Sequence, residues 1–111
     1  MGVFTNSLKS FKSKITGREK SYKVNNAVWL FLEADYGIKQ GDWLKALEEN
    51  EVLTMAKFTT CILKANKIET TLEEVLENTD VSALTEFVNA YGTLALGLDD
   101  NLTDSDEKNV Q

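Results

Sequence analysis

The side chains able to do chemistry in this sequence are carboxylates and one thiol. There is no His and a single Cys, Cys61. Imidazole is therefore missing from every constellation that needs it. A Ser-His-Asp or Cys-His pair cannot be built, and neither can a zinc site of the usual nitrogen and sulfur ligands. One Cys also excludes an intrachain disulfide, which fits a reducing compartment. Cys61 itself falls in mid-helix by periodicity, away from any helix N-terminus that would lower its pKa. It reads as a small buried hydrophobe.

The carboxylates cluster in three places: Glu48, Glu49 and Glu51; Glu73, Glu74 and Glu77; and Asp99, Asp100, Asp104 and Asp106. A hard cation needs several oxygens converging from a loop, with a Gly at its sharp turn and a closing Glu. The third cluster lacks both. Glu73 and Glu74 are better explained by the favourable field at a helix start. Paired acids for glycoside chemistry need a cleft, which nothing in the sequence announces. Gly37, Gly41, Gly92 and Gly97 form no phosphate-binding loop. No acid, base, nucleophile or metal set emerges. The expectation is a non-enzymatic protein with no cofactor, acting through its surfaces.

Aromatic residues are then the candidates for recognition. Trp29 reads as core. Tyr36 and Trp43 flank the Gly37–Gly41 connection between two short helices and are the expected partner-binding corner. Leu94 and Leu98, late on the last helix, are expected to be covered in an assembly, including one made of copies of this chain.

The elements that must position these groups are mostly helical. Ala27–Tyr36 is apolar almost all round, which predicts a central helix covered on every side. Asn25 or Asn26 can cap its start and Gly37 stops it. Asp42 is a candidate cap for a short helix from Trp43 to about Glu49. Met55, Phe58, Ile62 and Ala65 predict a longer helix over Val52–Ala65. Thr71 and Glu74 form a capping box for another short helix. Asp80 opens the last, with Leu84, Phe87, Val88, Tyr91, Leu94, Ala95 and Leu98 as its stripe. Gly92 inside that stripe suggests a close packing contact or a bend, and Gly97 a stop.

The front of the chain fits two templates. Phe4, Leu8, Phe11 and Ile15 have helical spacing. Residues 11–15 and 21–24 alternate as strands about a Thr16-Gly17-Arg18 turn. We favour a small β-hairpin over about 12–24. The fold class expected is therefore mainly α: one small domain of about five helices with a short N-terminal β-hairpin. Its divisions are a frayed basic segment 1–14, a helical domain 15–98 and an acidic disordered tail 99–111.

Charge is distributed unevenly along this order. Residues 1–23 carry +5, residues 24–98 carry −7 and residues 99–111 carry −4. Six cations without base-stacking aromatics or a known motif are a weak footprint for nucleic acid. They suit an acidic protein surface equally well. No apolar run approaches the roughly 20 residues that cross a bilayer, and no secretory signal is evident.

The order of segments resembles one family. Tyr22-Lys23-Val24 leads into Ala27-Val28-Trp29-Leu30-Phe31-Leu32-Glu33 and then Tyr36-Gly37-Ile38. A helix of small and apolar residues follows, Ala56 to Ala65. Thr71-Leu72-Glu73-Glu74-Val75-Leu76 comes next, then Asp80-Val81-Ser82-Ala83-Leu84. Over about residues 15–98 the whole resembles the tail assembly chaperones of long-tailed bacteriophages of Gram-positive hosts. The resemblance rests on order and period, with no invariant chemical motif and no catalytic residue to carry over.

That resemblance implies a small helical protein of the host cytoplasm, absent from the mature virion. It implies binding to the tape-measure protein and recruitment of tail-tube subunits. It also implies that a longer form can arise by ribosomal frameshifting where the acidic stretch begins. Two other readings stand beside it: a structural head–tail or tail adaptor, and an acidic inhibitor of a host DNA-binding protein.

Overall fold

A computed structural model describes residues 8–96. The chain forms β1 (Ser10–Ser13) and β2 (Lys20–Lys23), then α1 (Ala27–Tyr36). A 3₁₀ turn over Gln40–Asp42 leads into α2 (Trp43–Glu49), followed by α3 (Glu51–Ala65), α4 (Leu72–Asn78) and α5 (Val81–Leu96). The expected class, mainly α with a short hairpin and five helices, is what the chain adopts. Gly97, Leu98 and the acidic stretch 99–111 lie outside the described residues, as does Phe4.

The hairpin pairs Ser10 with Lys23, Phe11 with Tyr22 and Ser13 with Lys20. It therefore starts before residue 12 and takes in residues assigned above to a frayed segment. The helical template for this region gives way to strand over residues 10–13. Strand pairing puts Phe11 and Tyr22 on one face, and that face packs on α5. Gly17 supplies the turn with φ +98, where a side chain would be strained. Its N–H donates to the Lys14 carbonyl at 2.8 Å.

One edge of this ribbon is tied down by a side chain. The Lys23 N–H donates to Asn66 Oδ1 at 2.7 Å, and Asn66 Nδ2 donates back to the Lys23 carbonyl at 3.3 Å. The same Nδ2 donates to the Ile62 carbonyl at 2.9 Å, so the amide stays fixed to the end of α3.

The central helix is α3, not α1. α3 packs against α1, α2, α4 and α5, and Thr54–Ala56 and Phe58–Leu63 are all buried. On α1 only Val28 and Leu32 are buried, while Leu30 is 66% exposed. Apolar composition misled here because α3 hides its burial behind Thr and Cys. Two of its hydroxyls are satisfied by backbone carbonyls: Thr60 donates to Ala56 one turn back at 2.8 Å, and Thr54 reaches across to Ala46 of α2 at 2.9 Å. A Thr paired in this way can be buried almost as cheaply as an apolar residue.

The helix ends follow local chemistry. Asn25 Oδ1 accepts from the Ala27 N–H at 3.0 Å at the start of α1. Gly37 is left-handed, φ +69, and its N–H donates to the Glu33 carbonyl at 2.9 Å. Asp42 makes no side-chain cap bond; it closes the 3₁₀ turn instead. Asn50 caps α3 through Leu53 N–H at 3.2 Å, and Asp80 caps α5 through Ala83 N–H at 2.8 Å.

Thr71 accepts from the Glu74 N–H at 3.0 Å, but the reciprocal half of the box is missing. The Glu74 carboxylate turns to the Thr70 hydroxyl at 2.7 Å. α5 runs unbroken past Gly92. A Cβ there would meet no heavy atom within 4 Å, so no close contact requires this glycine.

Candidate partner-binding groove

The aromatic corner is a packed junction. The Trp43 ring lies 4.6 Å from Phe58 and 6.4 Å, edge-on, from Trp29. Trp29 in turn lies 5.2 Å from Phe58. Trp29 and Trp43 are half-buried against the core, holding α1 and α2 to α3.

Tyr36 is half-buried too. It has the Lys57 ammonium 5.6 Å from its ring centre. Burial raises the pKa of its phenol, with smaller contributions from Cys61 and Asp35 in the same direction. Leu94 is half-buried on α5. Leu98 lies outside the described residues.

Cys61 is fully buried among core residues. Burial pushes its thiol up to about 12, Asp35 adds to the shift and Lys64 opposes it. A thiol held in its protonated form is a poor nucleophile. Lys64 forms an ion pair with Asp35 and lies 5.0 Å from the Phe31 ring centre. That bond to Asp35 is the main reason its pKa is raised.

The hollows of the surface lie elsewhere, on the side of α3 that carries α4. The hairpin turn at Lys14–Gly17, the connection after α3 and the body of α4 line a half-open hollow of 510 Å³. Its apolar wall is Ile15, Leu63, Ile68 and Val75, with Thr59 contributed by α3. Charged groups of both signs stand around it: Lys14, Glu69 and Glu74.

A second, more open hollow of 700 Å³ reaches Phe31, Lys64 and Lys67. The two hollows meet at Ile68, Glu69, Thr70 and Glu74. Lys67 holds φ +68 as the chain turns out of α3, and Ile68 N–H donates back to the Leu63 carbonyl at 2.9 Å. This turn places Ile68 over the end of α3, against the core.

An apolar floor with a mixed charged rim suits an amphipathic segment laid along it. None of Ile15, Thr59 or Ile68 was singled out by the sequence as a site residue. The one available signal was Ile68, a lone large apolar residue in the polar connection between two helices. Among the described residues, no group of three or more Cys, Asp or Glu converges as a metal site. No described helix is long and apolar enough to cross a membrane. No family model, no curated protein and no solved structure matches this chain.

Proposed function

We propose that this chain is a non-enzymatic assembly chaperone that holds apolar helical segments of a larger partner. The observation that carries this reading is the pair of adjoining hollows beside α4. They offer apolar side chains from the hairpin, α3, α4 and α1 within a charged rim. A helix presenting apolar residues at every third or fourth position could lay them there. The resemblance of segment order to phage tail assembly chaperones supplies the partner. That partner is the tape-measure protein, bound in the host cytoplasm while tail-tube subunits are recruited.

Co-expression of this chain with a tape-measure protein tests the proposal. The expected result is a soluble complex that co-purifies. Ile68→Asp, which puts a charge where the two hollows meet, should lower recovery of the complex at least tenfold while circular dichroism stays helical. A tape-measure protein that stays insoluble and unbound beside folded wild-type chain would end the proposal.

A further inference from the structure

We propose that the outward face of the hairpin is a docking surface for an acidic segment, and that its occupant is residues 99–107 of the same chain. The helix-binding reading above is not needed for it.

The pairing of the strands decides which side chains look outward. Residues directly opposite in an antiparallel pair share a face, and faces alternate along each strand. Phe11 and Tyr22 are opposite each other and turned to the core. Ser10 with Lys23 and Lys12 with Ser21 therefore form the outer face, and all four are exposed. Lys12 and Lys23 are diagonal neighbours there, about 7–8 Å apart at the backbone. Arg18 and Lys20, both exposed, extend the positive charge to the turn.

This charge is not neutralised by the folded body. Glu19 is the one acid within residues 8–23. Lys14 stands across a hollow from Glu69 and Glu74. Lys12, Arg18, Lys20 and Lys23 form no ion pair with a carboxylate of the described residues. At 0.1 M salt the screening length is about 10 Å, so neighbouring cations on so small a face act together on an anion.

The chemistry of the face selects among anions. Its aromatics are turned inward, so it offers no ring on which a base could stack. The rest of the domain is acidic, with residues 24–98 at −7, and repels a long polyanion. The outer strand positions carry Ser10 and Ser21 beside the lysines, with no apolar anchor for a membrane. A short acidic peptide meets these limits.

The chain carries such a peptide close by. Residues 99–107 include Asp99, Asp100, Asp104, Asp106 and Glu107 and no cation. The hairpin lies on α5, with the Phe11 ring 6.5 Å from Tyr91. α5 ends at Leu96, five residues and about 7.5 Å of helix beyond that contact. Ten further residues reach Asp106 and span up to about 35 Å when extended, ample to pass round the ribbon. Attachment also gives the segment an effective concentration on the order of millimolar.

The test places a nitroxide on the full chain through Ser105→Cys. The wild type taken through the same labelling, with Cys61 buried, is the blank. In 50 mM NaCl the amide signals of Lys12, Ser21 and Lys23 should fall to half intensity or less. In 500 mM NaCl they should recover. Lys12→Gln with Lys23→Gln changes two exposed side chains and should abolish the loss at low salt; the salt dependence carries the test if that variant misfolds.

No loss at low salt, a loss unchanged at 500 mM or surviving the glutamine variant, or a loss centred on Lys39, Lys45 or Lys67 would overturn the proposal. So would an equal loss in ¹⁵N-labelled wild type mixed with unlabelled nitroxide-bearing chain, which would assign the contact to a second copy. Since no partner protein is present, a failed co-expression with a tape-measure protein leaves this result untouched.

Discussion

Phe11 and Tyr22 stand opposite each other across the hairpin, ring centres 5.8 Å apart, and each meets Phe87 of α5, at 5.3 and 5.2 Å. A two-stranded ribbon is marginal by itself in water. Here its stability is borrowed from α5, through one phenylalanine that both strands share.

Phe87→Ala should therefore cost about 3–5 kcal/mol, the usual loss for a buried aromatic. Phe87 is 2% exposed. Urea unfolding gives the loss, and amide exchange locates it: protection at Phe11 and Tyr22 should fall further than protection in α1. A variant with wild-type stability would contradict the placement of the hairpin on α5.

Gly92 and Gly37 should respond to alanine with opposite signs. Gly92 lies inside α5 with open space around its missing Cβ. Gly92→Ala should stabilise by up to about 1 kcal/mol through helix propensity. Gly37 holds φ +69. Gly37→Ala should destabilise by about 1 kcal/mol through strain in the left-handed region. Thermal midpoints of the two variants measure both, and a loss at Gly92 would reveal a packing role that the geometry does not contain.

Cys61 should be silent toward a thiol reagent such as DTNB at pH 8 in the folded chain and reactive in urea. Its folded pKa, raised to about 12 from 9.0, means the folded chain holds this proton more tightly than the unfolded chain. The resulting stability is complete below pH 9 and declines as pH rises toward 12, by at most about 1.4 kcal/mol per pH unit. Tyr36 and Tyr91 are also raised from 10.0 by burial, so their contribution is lost at still higher pH. Cys61→Ala should remove the decline between pH 9 and 10 and leave the later one. A decline in that interval that persists in the alanine variant would assign it to another group.

Trp43→Ala should lower folding stability by about 2 kcal/mol, less than a fully buried aromatic would. The ring is half-buried and 4.6 Å from Phe58. Tryptophan fluorescence and urea unfolding check it. A variant that folds as well as the wild type but loses the partner would return Trp43 to a surface role.

The parts of the fold legible in the sequence were those decided within a few residues. The buried part of the α5 stripe (Leu84, Phe87 and Tyr91, though not the exposed Ala95), the Gly37 stop and the Thr71 and Asp80 caps are of this kind, because each depends on neighbours along the chain. The Asp42 cap failed since three residues before Trp43 close their own 3₁₀ turn. The rank of α1 against α3 was misread because burial of Thr54, Thr59, Thr60 and Cys61 depends on what packs over them. The hollows were illegible for the same reason. They join Ile15 to Val75 and Phe31 to Glu74, and hydrophobic period says nothing about which distant elements meet.

The Asn66 amide has a consequence for how the ribbon can grow. At Lys23 it offers one acceptor and one donor in the positions a further strand would supply. It thus acts as a one-residue stopper on the β2 side. A strand that would pair with β2 at Lys23 must first displace the amide of the residue that closes α3.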